Sequence, residues 1–304
     1  MNQKISVIGA GPFGQAIAQL LAENGHAVTL WCYESEVART LQLAHVTATN
    51  SLPEALQNSI IFEAVPVAHL RTVLLQAQPD VTKNHQWVVL SKGLETETFL
   101  LSSEIIKQLF PANTVAVLSG PSYAKEVAAQ QPTHVTLAAD DNKFAQQIQK
   151  LVNNAWFTTE LSDDIRGVQL CAAYKNVAAI YLGMLAGAGY GQNAQARALL
   201  QCLEEMKQLV QTSTVYGPAG LGDLILTGYG TLSRNRMLGQ RLAQGEKLEE
   251  ILQQLGTTPE GLNTVIALHA WAKKNNLTLA ITTMVHEIIF NSKSVADLAV
   301  EPSK

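Results

Sequence analysis

Lys175 stands in the middle of an apolar run that extends from residue 170 to residue 180. Burial lowers the pKa of a lysine ammonium towards the neutral range, where a general acid or base works best. A lysine in such a run can instead pair with a carboxylate or extend its side chain to the surface. We predict that Lys175 transfers a proton, and the two structural roles are the alternatives.

Two further segments carry polar groups directly after predicted strands. Lys92 follows the run Trp87–Leu90, and residues 119–124 (Ser-Gly-Pro-Ser-Tyr-Ala) follow the next such run. Because the C-terminal ends of parallel strands form the ligand crevice of an open α/β sheet, Lys92 is expected to face a cofactor. The backbone amides and serine hydroxyls of 119–124 suit a polar ligand. A solvated loop lysine and a plain turn are the alternatives.

Asp223 closes a glycine-dense loop, and a basic helix start follows it. Ten residues after Asp223, residues 233–236 (Ser-Arg-Asn-Arg) open a predicted helix in which Ser233 is the expected N-cap. A helix N-terminus that carries arginine and asparagine suits a phosphate oxyanion. An ordinary capped helix with solvated arginines is the alternative.

Residues 9–14 (Gly-Ala-Gly-Pro-Phe-Gly) form a G-x-G-x-x-G motif between a predicted strand, 4–8, and a predicted helix, 12–23. The first glycine permits a tight turn, the second lets backbone approach a pyrophosphate, and the third lets the helix pack on the strand. The helix N-terminus then faces the phosphates. This context predicts a dinucleotide site, and a glycine turn without a ligand is the alternative.

Glu34 follows the second predicted strand, where the residue type distinguishes the two nicotinamide dinucleotides. A carboxylate there accepts hydrogen bonds from the ribose hydroxyls and repels a 2′-phosphate, and no basic residue occurs before Arg39. The position therefore favours NAD over NADP. A solvated glutamate at the start of a helix is the alternative.

Strands and helices alternate in the first half of the chain, and helical patterns dominate after residue 162. We therefore predict an N-terminal α/β Rossmann domain with a doubly wound, mostly parallel sheet (1–163), and an all-α C-terminal domain (164–304). The predicted strands are 4–8, 27–31, 60–65, 87–90, 114–118 and 134–138. The predicted helices are 12–23, 68–76, 97–110, 165–185, 194–213, 234–243, 248–255 and 261–274.

The composition is that of a globular protein with a large core. Of 304 residues, 47% are hydrophobic and 15% charged, and the net charge of −4 gives no reason to expect a nucleic acid partner. The three cysteines lack metal-ligand spacing, which favours a reduced, cytoplasmic chain without a metal site. No signal peptide is expected. The apolar run from Val168 to Tyr190 contains Lys175 and is expected to be a buried helix, not a membrane span.

Taken together and in order, eight segments resemble the NAD(P)-dependent glycerol-3-phosphate dehydrogenase family. They are IGAGPFGQAIA, VTLW, SKGLE, LSGPSYAKEV, YKNVAAIYLGMLAGAGYGQNAQA, GLGDLILT, SRNR and EGLNT, and they lie between residue 5 and about residue 264. The chain departs from the usual family pattern at residues 172–174, 200–202 and 280–283. None of these departures removes a predicted catalytic residue.

The resemblance implies a Rossmann domain, a helical domain, and interconversion of sn-glycerol 3-phosphate and dihydroxyacetone phosphate, which feeds glycerophospholipid synthesis. It implies a homodimer, a small phosphorylated substrate, and NAD or NADP as cofactor. The catalytic residues that it implies are Lys175 as proton donor and acceptor, Lys92, and Asp223 as an orienting group. The implied substrate contacts are Lys92, Gly120, Ser122, Lys175, Asp223, Ser233, Arg234 and Asn235. The implied cofactor contacts are Gly9, Gly11, Pro12, Phe13, Gly14, Tyr33, Lys92, Ala124, Arg234, Thr258 and Glu260.

Two other functions are compatible with parts of this sequence. Another two-domain dehydrogenase, acting on a different hydroxy or imino acid, would keep the dinucleotide turn but would not need residues 233–236. A non-catalytic NAD(H)-sensing protein would have no reason to combine Lys92, Lys175 and Asp223.

Overall fold

A computed structural model describes residues 3–256, 258–295 and 298. The described residues form two compact units. The N-terminal unit comprises the residues up to Lys92 together with Leu101–Val168, and the C-terminal unit comprises Gly93–Leu100 and the residues from Gln169 onward. The ends of the two predicted domains, residues 1–2 and 299–304, lie outside the described residues.

An eight-stranded sheet forms the N-terminal unit. Its order is β3-β2-β1-β4-β5-β6-β7-β8, and every neighbouring pair is parallel except β6 with β7. The first six strands have the order of a dinucleotide-binding Rossmann sheet. The strands are β1 Lys4–Ile8, β2 Ala27–Trp31, β3 Val46–Thr49, β4 Ile60–Glu63, β5 Gln86–Val89, β6 Thr114–Ser119, β7 Thr133–Ala139 and β8 Phe157–Ser162.

Seven helices accompany this sheet. Residues of α1 and α7 pack with the sheet in one apolar core that includes Ile17, Leu21 and Ile148. The helices are α1 Pro12–Glu23, α2 Ser35–Thr40, α3 Leu52–Ala55, α4 Val67–Ala77, α5 Ser102–Leu109, α6 Ala124–Ala128 and α7 Asn142–Val152.

The C-terminal unit is helical, and no described residue after Ser162 lies in a strand. It contains most of α8, the later helices, and one π-helical turn, Pro218–Gly222. Its own apolar core includes Tyr174, Ile180 and Leu268. The helices are α8 Ile165–Gly187, α9 Gln192–Lys207, α10 Thr212–Tyr216, α11 Asp223–Tyr229, α12 Arg234–Ala243, α13 Leu248–Leu255, α14 Glu260–Lys274 and α15 Ala280–Phe290.

The predicted fold class is confirmed, with differences in some elements. The helix predicted from residue 97 begins at Ser102, because Phe99 has a positive φ of 63° and interrupts a helical path. The helix predicted over 194–213 ends at Lys207, and a short helix follows it. The sequence patterns did not identify α2, α3, α6, α7, α10, α11, α15, β3 or β8.

Helix α8 is long and apolar enough to cross a membrane by length and composition alone. However, 89% of its most apolar window is buried inside the protein. A helix buried in this way is typical of the centre of a globular unit, where neighbouring side chains cover the apolar surface. The structure thus agrees with the prediction of a buried helix.

Candidate active site

The glycine turn between β1 and α1 requires glycine at two positions for steric reasons. Gly9 has a φ of +112°, and a Cβ there would lie 2.6 Å from the Ala64 carbonyl oxygen. A Cβ on Gly14 would lie 1.9 Å from the Gly9 carbonyl oxygen. Both distances are impossible for real atoms, so the first and third glycines allow the turn and the close packing of α1.

Gly11, the second glycine, lies next to open space instead of packed backbone. A Cβ built there would meet no atom within 4 Å. Gly11 is also the N-cap of α1, and Pro12 occupies the first helical position. The open space therefore lies at a helix N-terminus, which attracts anions. This space and charge fit the pyrophosphate of a nicotinamide dinucleotide.

The other predicted cofactor residues occur in both units. In the N-terminal unit, Pro12 and Ala124 line one open groove. Tyr33 is 75% exposed, with its ring edge-to-face on Trp31 at a centroid distance of 6.1 Å. Phe13 packs partly against the core, and Gly9 and Gly14 shape the turn. In the C-terminal unit, Thr258 is exposed and Glu260 lies in the first turn of α14.

Glu34 occupies the N-cap position of α2 and is exposed. This position agrees both with a contact to the cofactor ribose and with a solvated glutamate at the start of a helix. Its side chain makes no capping hydrogen bond. The carboxylate is thus not used by the helix that it precedes. Arg39 lies in the last turn of the same helix.

A buried carboxylate that sequence reasoning missed holds the loop before Lys92. Glu63, at the end of β4, is fully buried, and its Oε2 accepts a hydrogen bond of 2.6 Å from Ser91 Oγ. Its Oε1 accepts another of 2.6 Å from the Val65 amide. Glu63 therefore ties the loop after β4 to the segment that begins with Ser91 and Lys92. No local sequence pattern indicates this contact, which joins residues 28 positions apart.

Gly120 and Ser122 follow β6 as predicted, and both have internal contacts. A Cβ on Gly120 would lie 2.8 Å from the Val135 Cα, so β7 packs against this glycine. Ser122 Oγ donates a hydrogen bond of 3.0 Å to the Gly120 carbonyl oxygen. The turn is therefore shaped by its own contacts, and the Ser122 oxygen can still accept a hydrogen bond.

Lys175 lies in a buried polar cluster of the C-terminal unit, which we name the Lys175 cluster (Lys175, Asp223 and Thr227). Lys175 Nζ donates to Asp223 Oδ1 at 2.5 Å and to Thr227 Oγ1 at 2.9 Å. Thr227 Oγ1 also donates to Asp223 Oδ1 at 3.2 Å. The side chains of Lys175 and Asp223 are only 8% and 1% exposed. The cluster fixes one ammonium in a defined direction within a low-dielectric interior.

Thr227 was not identified from the sequence, although a signal for it exists. It lies four residues after Asp223 on α11, which places both side chains on the same face of that helix. Lys175 thus has a carboxylate partner, which was one of the alternatives to proton transfer. That partner is Asp223, the residue that the resemblance implies as an orienting group.

Asn176, which the sequence analysis also left without a function, lies beside this cluster in the chain. Its Oδ1 accepts a hydrogen bond of 2.9 Å from Asn235 Nδ2, and Asn235 Oδ1 accepts one from the Gly261 amide at 3.2 Å. Asn235 therefore links α8, α12 and α14. The Nδ2 of Asn176 is buried without a hydrogen-bond partner, which identifies a donor that a polar ligand could satisfy.

The start of α12 has the cap that the sequence predicted. Ser233 Oγ accepts a hydrogen bond of 3.2 Å from the Arg236 amide. Arg236 is held by the Gly228 carbonyl, Gln195 and the Tyr229 ring. Arg234 is exposed at the first helical position. Of the two arginines, Arg234 is thus the more exposed.

Within the N-terminal unit, the structure places the glycine turn, Lys92, Gly120 and Ser122 at the carboxyl ends of parallel strands or directly after them. Within the C-terminal unit, it brings together Lys175 and Asp223, and it joins Asn235 to α14. The predicted residues therefore form two groups, one in each unit. The first group suits a dinucleotide, and the second suits proton transfer and an anion.

The chain matches two family models that together span most of its length. Residues 4–145 match the N-terminus of NAD-dependent glycerol-3-phosphate dehydrogenase, and residues 164–300 match its C-terminus. The chain is 35% identical to glycerol-3-phosphate dehydrogenase [NAD(P)+] of Syntrophotalea carbinolica, with 98% of this chain and 96% of the relative covered. It is 36% identical to the protein of the same name in Citrifermentans bemidjiense, with 99% and 97% covered.

A solved structure agrees with these relatives. The crystal structure of glycerol-3-phosphate dehydrogenase from Coxiella burnetii superposes with a TM-score of 0.94 at 32% identity, and the match covers 98% of this chain and 97% of that one. Both family models, two relatives above 30% identity and this fold agree over nearly the whole chain. The chain therefore belongs to the NAD-dependent glycerol-3-phosphate dehydrogenase family.

Proposed function

We propose that the protein interconverts sn-glycerol 3-phosphate and dihydroxyacetone phosphate, with NAD or NADP as the redox partner. The Lys175 cluster carries this proposal, because it holds a buried ammonium of the kind that a carbonyl reduction needs. The similarity to relatives that bear this enzyme name supports the choice of substrate. The bound cofactor supplies or accepts a hydride at C2 of the substrate.

Lys175 is the proton donor and acceptor of the proposed reaction. In the reducing direction its ammonium gives a proton to the carbonyl oxygen, and in the oxidising direction the neutral amine takes the proton of the hydroxyl at C2. The adjacent Asp223 carboxylate stabilises the ammonium that oxidation forms. Thr227 and Asp223 together hold Nζ in place, so that little reorganisation is needed when the proton moves.

The start of α12 is the proposed binding site of the substrate phosphate. Arg234 is exposed there, and the N-terminus of this ten-residue helix favours an anion. Binding the phosphate away from C2 supplies energy that positions the reacting carbon. The other proposed substrate contacts are Lys92, Gly120, Ser122, Ser233 and Asn235, and Lys92 is also proposed to stabilise the developing alkoxide.

The proposed cofactor contacts begin with the turn at Gly9, Gly11 and Gly14, where the helix N-terminus receives the pyrophosphate. Residues 1–163 are proposed as the dinucleotide-binding domain and residues 164–304 as the substrate and catalytic domain, and each domain also contributes contacts to the other ligand. The additional contacts are Pro12, Phe13, Tyr33, Lys92, Ala124, Arg234, Thr258 and Glu260.

Turnover of dihydroxyacetone phosphate by the purified protein tests the reaction. Oxidation of NADH and of NADPH is followed with this substrate, for the parent protein and for Lys175→Met. We expect kcat to fall by about 10²–10⁴-fold in the variant, the usual contribution of a general acid, while NADH affinity changes little. Lys207→Met, which removes a lysine from an exposed pair with Glu204, is the control and is expected to retain full activity.

Three outcomes would contradict the proposal. A Lys175→Met variant as active as the parent protein excludes the assigned proton transfer. Turnover of other keto acids without turnover of dihydroxyacetone phosphate indicates a dehydrogenase for a different substrate. Tight NADH binding with no turnover of any carbonyl substrate indicates a sensing protein.

Glu34 is proposed to favour NAD over NADP by repelling the 2′-phosphate. The comparison of kcat/KM for NADH and NADPH is made in the parent protein and in Glu34→Gln. Removing one surface charge near a phosphate is worth about 1 kcal/mol, so the preference should shift about fivefold towards NADPH. Glu36→Gln, an exposed neighbour on α2, is the control. An unchanged ratio in Glu34→Gln excludes this explanation.

We also propose that the protein is a cytoplasmic homodimer and that its reaction feeds glycerophospholipid synthesis. The C-terminal unit exposes several large apolar side chains, among them Leu200 at 63% and Tyr216 at 54%, and exposed apolar groups are common at protein interfaces. Light scattering coupled to size exclusion measures the mass. A mass near twice the 32.8 kDa of the chain is expected, and a stable monomer would contradict the dimer.

A further inference from the structure

Three side chains that the proposed reaction does not use meet between the last two described helices. His269 lies on α14, and His286 and Glu287 lie on α15. The two imidazole rings stack at a centroid distance of 4.0 Å and an angle of 14°. One ligand atom from each of the three residues lies within 4.8 Å of the other two.

One ring nitrogen of each histidine is buried without a hydrogen-bond partner. His269 is 5% exposed, and its Nε2 is buried with no hydrogen-bond partner. The Nδ1 of His286 is also buried without a hydrogen-bond partner, and Glu287 Oε1 lies 3.7 Å away from it. Leaving a buried polar atom unsatisfied is costly, so two such atoms on stacked rings point to a missing ligand.

We propose that His269, His286 and Glu287 bind a divalent transition-metal ion of the zinc type. Two imidazoles and one carboxylate are a ligand set that zinc accepts, with one position left for water. Bond lengths of about 2.0–2.1 Å at tetrahedral angles require ligand atoms about 3.4 Å apart. The Nδ1–Oε1 distance of 3.7 Å is close to this value. The two rings are nearly parallel and each lone pair lies in the plane of its ring, so His286, the less buried of the two, turns about its side-chain bonds when the ion binds.

The ion would link α14 to α15 and satisfy both orphaned nitrogens. The site lies on α14 and α15, whereas the Lys175 cluster lies on α8 and α11, and the proposed reaction assigns no step to the ion. Nitrogen donors favour zinc, cobalt or nickel, whereas magnesium prefers oxygen ligands and keeps most of its water. The three cysteines of the chain are buried, so they do not compete for the ion in the folded protein.

Metal titration of untagged, metal-free protein tests the site. We expect Zn²⁺ to bind with a stoichiometry of one per chain in calorimetry, and Mg²⁺ not to bind at this site. Co²⁺ should give the intense visible absorption of a tetrahedral complex with nitrogen and oxygen ligands. Saturating Zn²⁺ should raise the Tm, because the ion binds only the folded chain. These readouts do not depend on dehydrogenase activity.

Three variants identify the ligands. His286→Gln and Glu287→Gln, whose side chains are 19% and 34% exposed, should each weaken Zn²⁺ binding more than tenfold and abolish its effect on Tm. His269→Asn should do the same, but the residue is more buried and the variant is interpreted only where it folds. His69→Asn removes an exposed histidine of the N-terminal unit and is expected to bind Zn²⁺ normally.

The proposal is overturned by either of two results. One is a folded parent protein that binds no Zn²⁺ at micromolar concentrations, which would leave the stacked histidines as a packing contact. The other is Zn²⁺ binding that His286→Gln and Glu287→Gln leave unchanged, which would place the ion elsewhere.

Discussion

A single buried ion pair, Lys175 with Asp223, meets a chemical and a structural requirement at once. The proposed reaction needs a lysine in a dry environment, and a dry environment does not tolerate an unpaired charge. Asp223 and Thr227 resolve this conflict by giving the ammonium two oxygen partners. The stability of the helical unit and the chemistry therefore depend on the same side chains.

The ion pair predicts strong coupling between its two members. Lys175→Met and Asp223→Asn should each lower the free energy of unfolding by about 3–5 kcal/mol, because each leaves one charge buried without its counter-charge. The double variant should recover much of this loss while remaining inactive. Urea unfolding measures the stability, and kcat is measured alongside. If the costs of the two single changes simply add in the double variant, the pair is not coupled in the way that the geometry indicates.

The dinucleotide turn predicts two different effects of the same chemical change. Gly11→Ala places a methyl group in open space, so the folded protein should keep its Tm, while NADH affinity should fall more than tenfold if the cofactor lies there. Gly14→Ala drives a methyl group into the Gly9 carbonyl oxygen and should lower both the Tm and NADH affinity. Thermal unfolding and NADH fluorescence titration measure the two properties. A Gly11→Ala variant with normal NADH affinity would contradict the assigned pyrophosphate position.

Among the helices and strands, the sequence predicted the elements whose ends carry local signals. Helix α1 has the predicted bounds, since Pro12 starts it and Gly25, with a φ of +85°, follows its end. Helix α12 begins where Ser233 caps it. In contrast, no side chain at the start of α15 caps that helix. The Ile281 amide there donates a hydrogen bond to Glu205, 76 positions earlier in the chain. Such a start leaves no trace in the local sequence.

The difference between local signals and long-range contacts also explains which site residues could be predicted from the sequence. The glycine motif and the buried lysine are local signals, because residue type and spacing alone identify them. Glu63 and Asn176 act through contacts that join distant segments, over 28 and 59 residues. Only the folded chain shows that the Glu63 carboxylate is used twice or that Asn176 has an unpaired donor.

Glu205 of α9 caps α15 from outside that helix. Its Oε2 accepts from the Ile281 amide at 2.6 Å, and its Oε1 accepts from the Thr282 amide at 2.9 Å and the Thr282 hydroxyl at 2.7 Å. Burial raises the pKa of Glu205, and these hydrogen bonds oppose that effect. The amides at a helix start have no partner within the helix, so this carboxylate replaces the missing cap.

Replacing Glu205 should therefore weaken the C-terminal unit. Glu205→Gln puts an NH₂ group against a backbone amide and should lower the free energy of unfolding by about 1–3 kcal/mol, the cost of an unmade buried hydrogen bond. Glu204→Gln, at the neighbouring exposed position, is the control and should cause no measurable change. Urea unfolding followed by circular dichroism gives both values. Equal stability of the two variants would mean that α15 does not depend on this cap.

At the scale of the whole molecule, the two units have separate cores and separate spectroscopic reporters. Three of the four tryptophans, Trp31, Trp87 and Trp156, belong to the N-terminal unit, and Trp271 belongs to the C-terminal unit. Tryptophan fluorescence therefore reports mainly on the sheet, whereas circular dichroism reports helices of both units. Unfolding curves that differ between the two probes are expected if the units unfold separately.

His85 should make the N-terminal unit sensitive to acid. The ring is 4% exposed, its Nδ1 accepts from the Thr82 amide at 2.9 Å, and its Nε2 lies 3.0 Å from the Leu56 carbonyl oxygen. The amide donates to Nδ1, so Nε2 carries the hydrogen and the ring is neutral. Burial lowers the pKa of His85, with the hydrogen bond to Leu56 opposing. The unfolded chain thus takes up a proton at this residue at a higher pH than the folded chain does.

Stability must then fall as the pH falls below the ordinary histidine pKa and level off below the lowered one. Below the ordinary histidine pKa of about 6.5, the parent protein should lose up to about 1.4 kcal/mol per pH unit through this one proton, until the lowered pKa of the folded state is reached. His85→Gln should lower stability at pH 7 but show a shallower dependence on pH. Urea unfolding followed by tryptophan fluorescence at pH 5.5, 6.5 and 7.5 measures the difference. His69→Asn, which changes an exposed histidine, should keep the slope of the parent protein, and an equal slope in His85→Gln would exclude His85 as the acid-sensitive group.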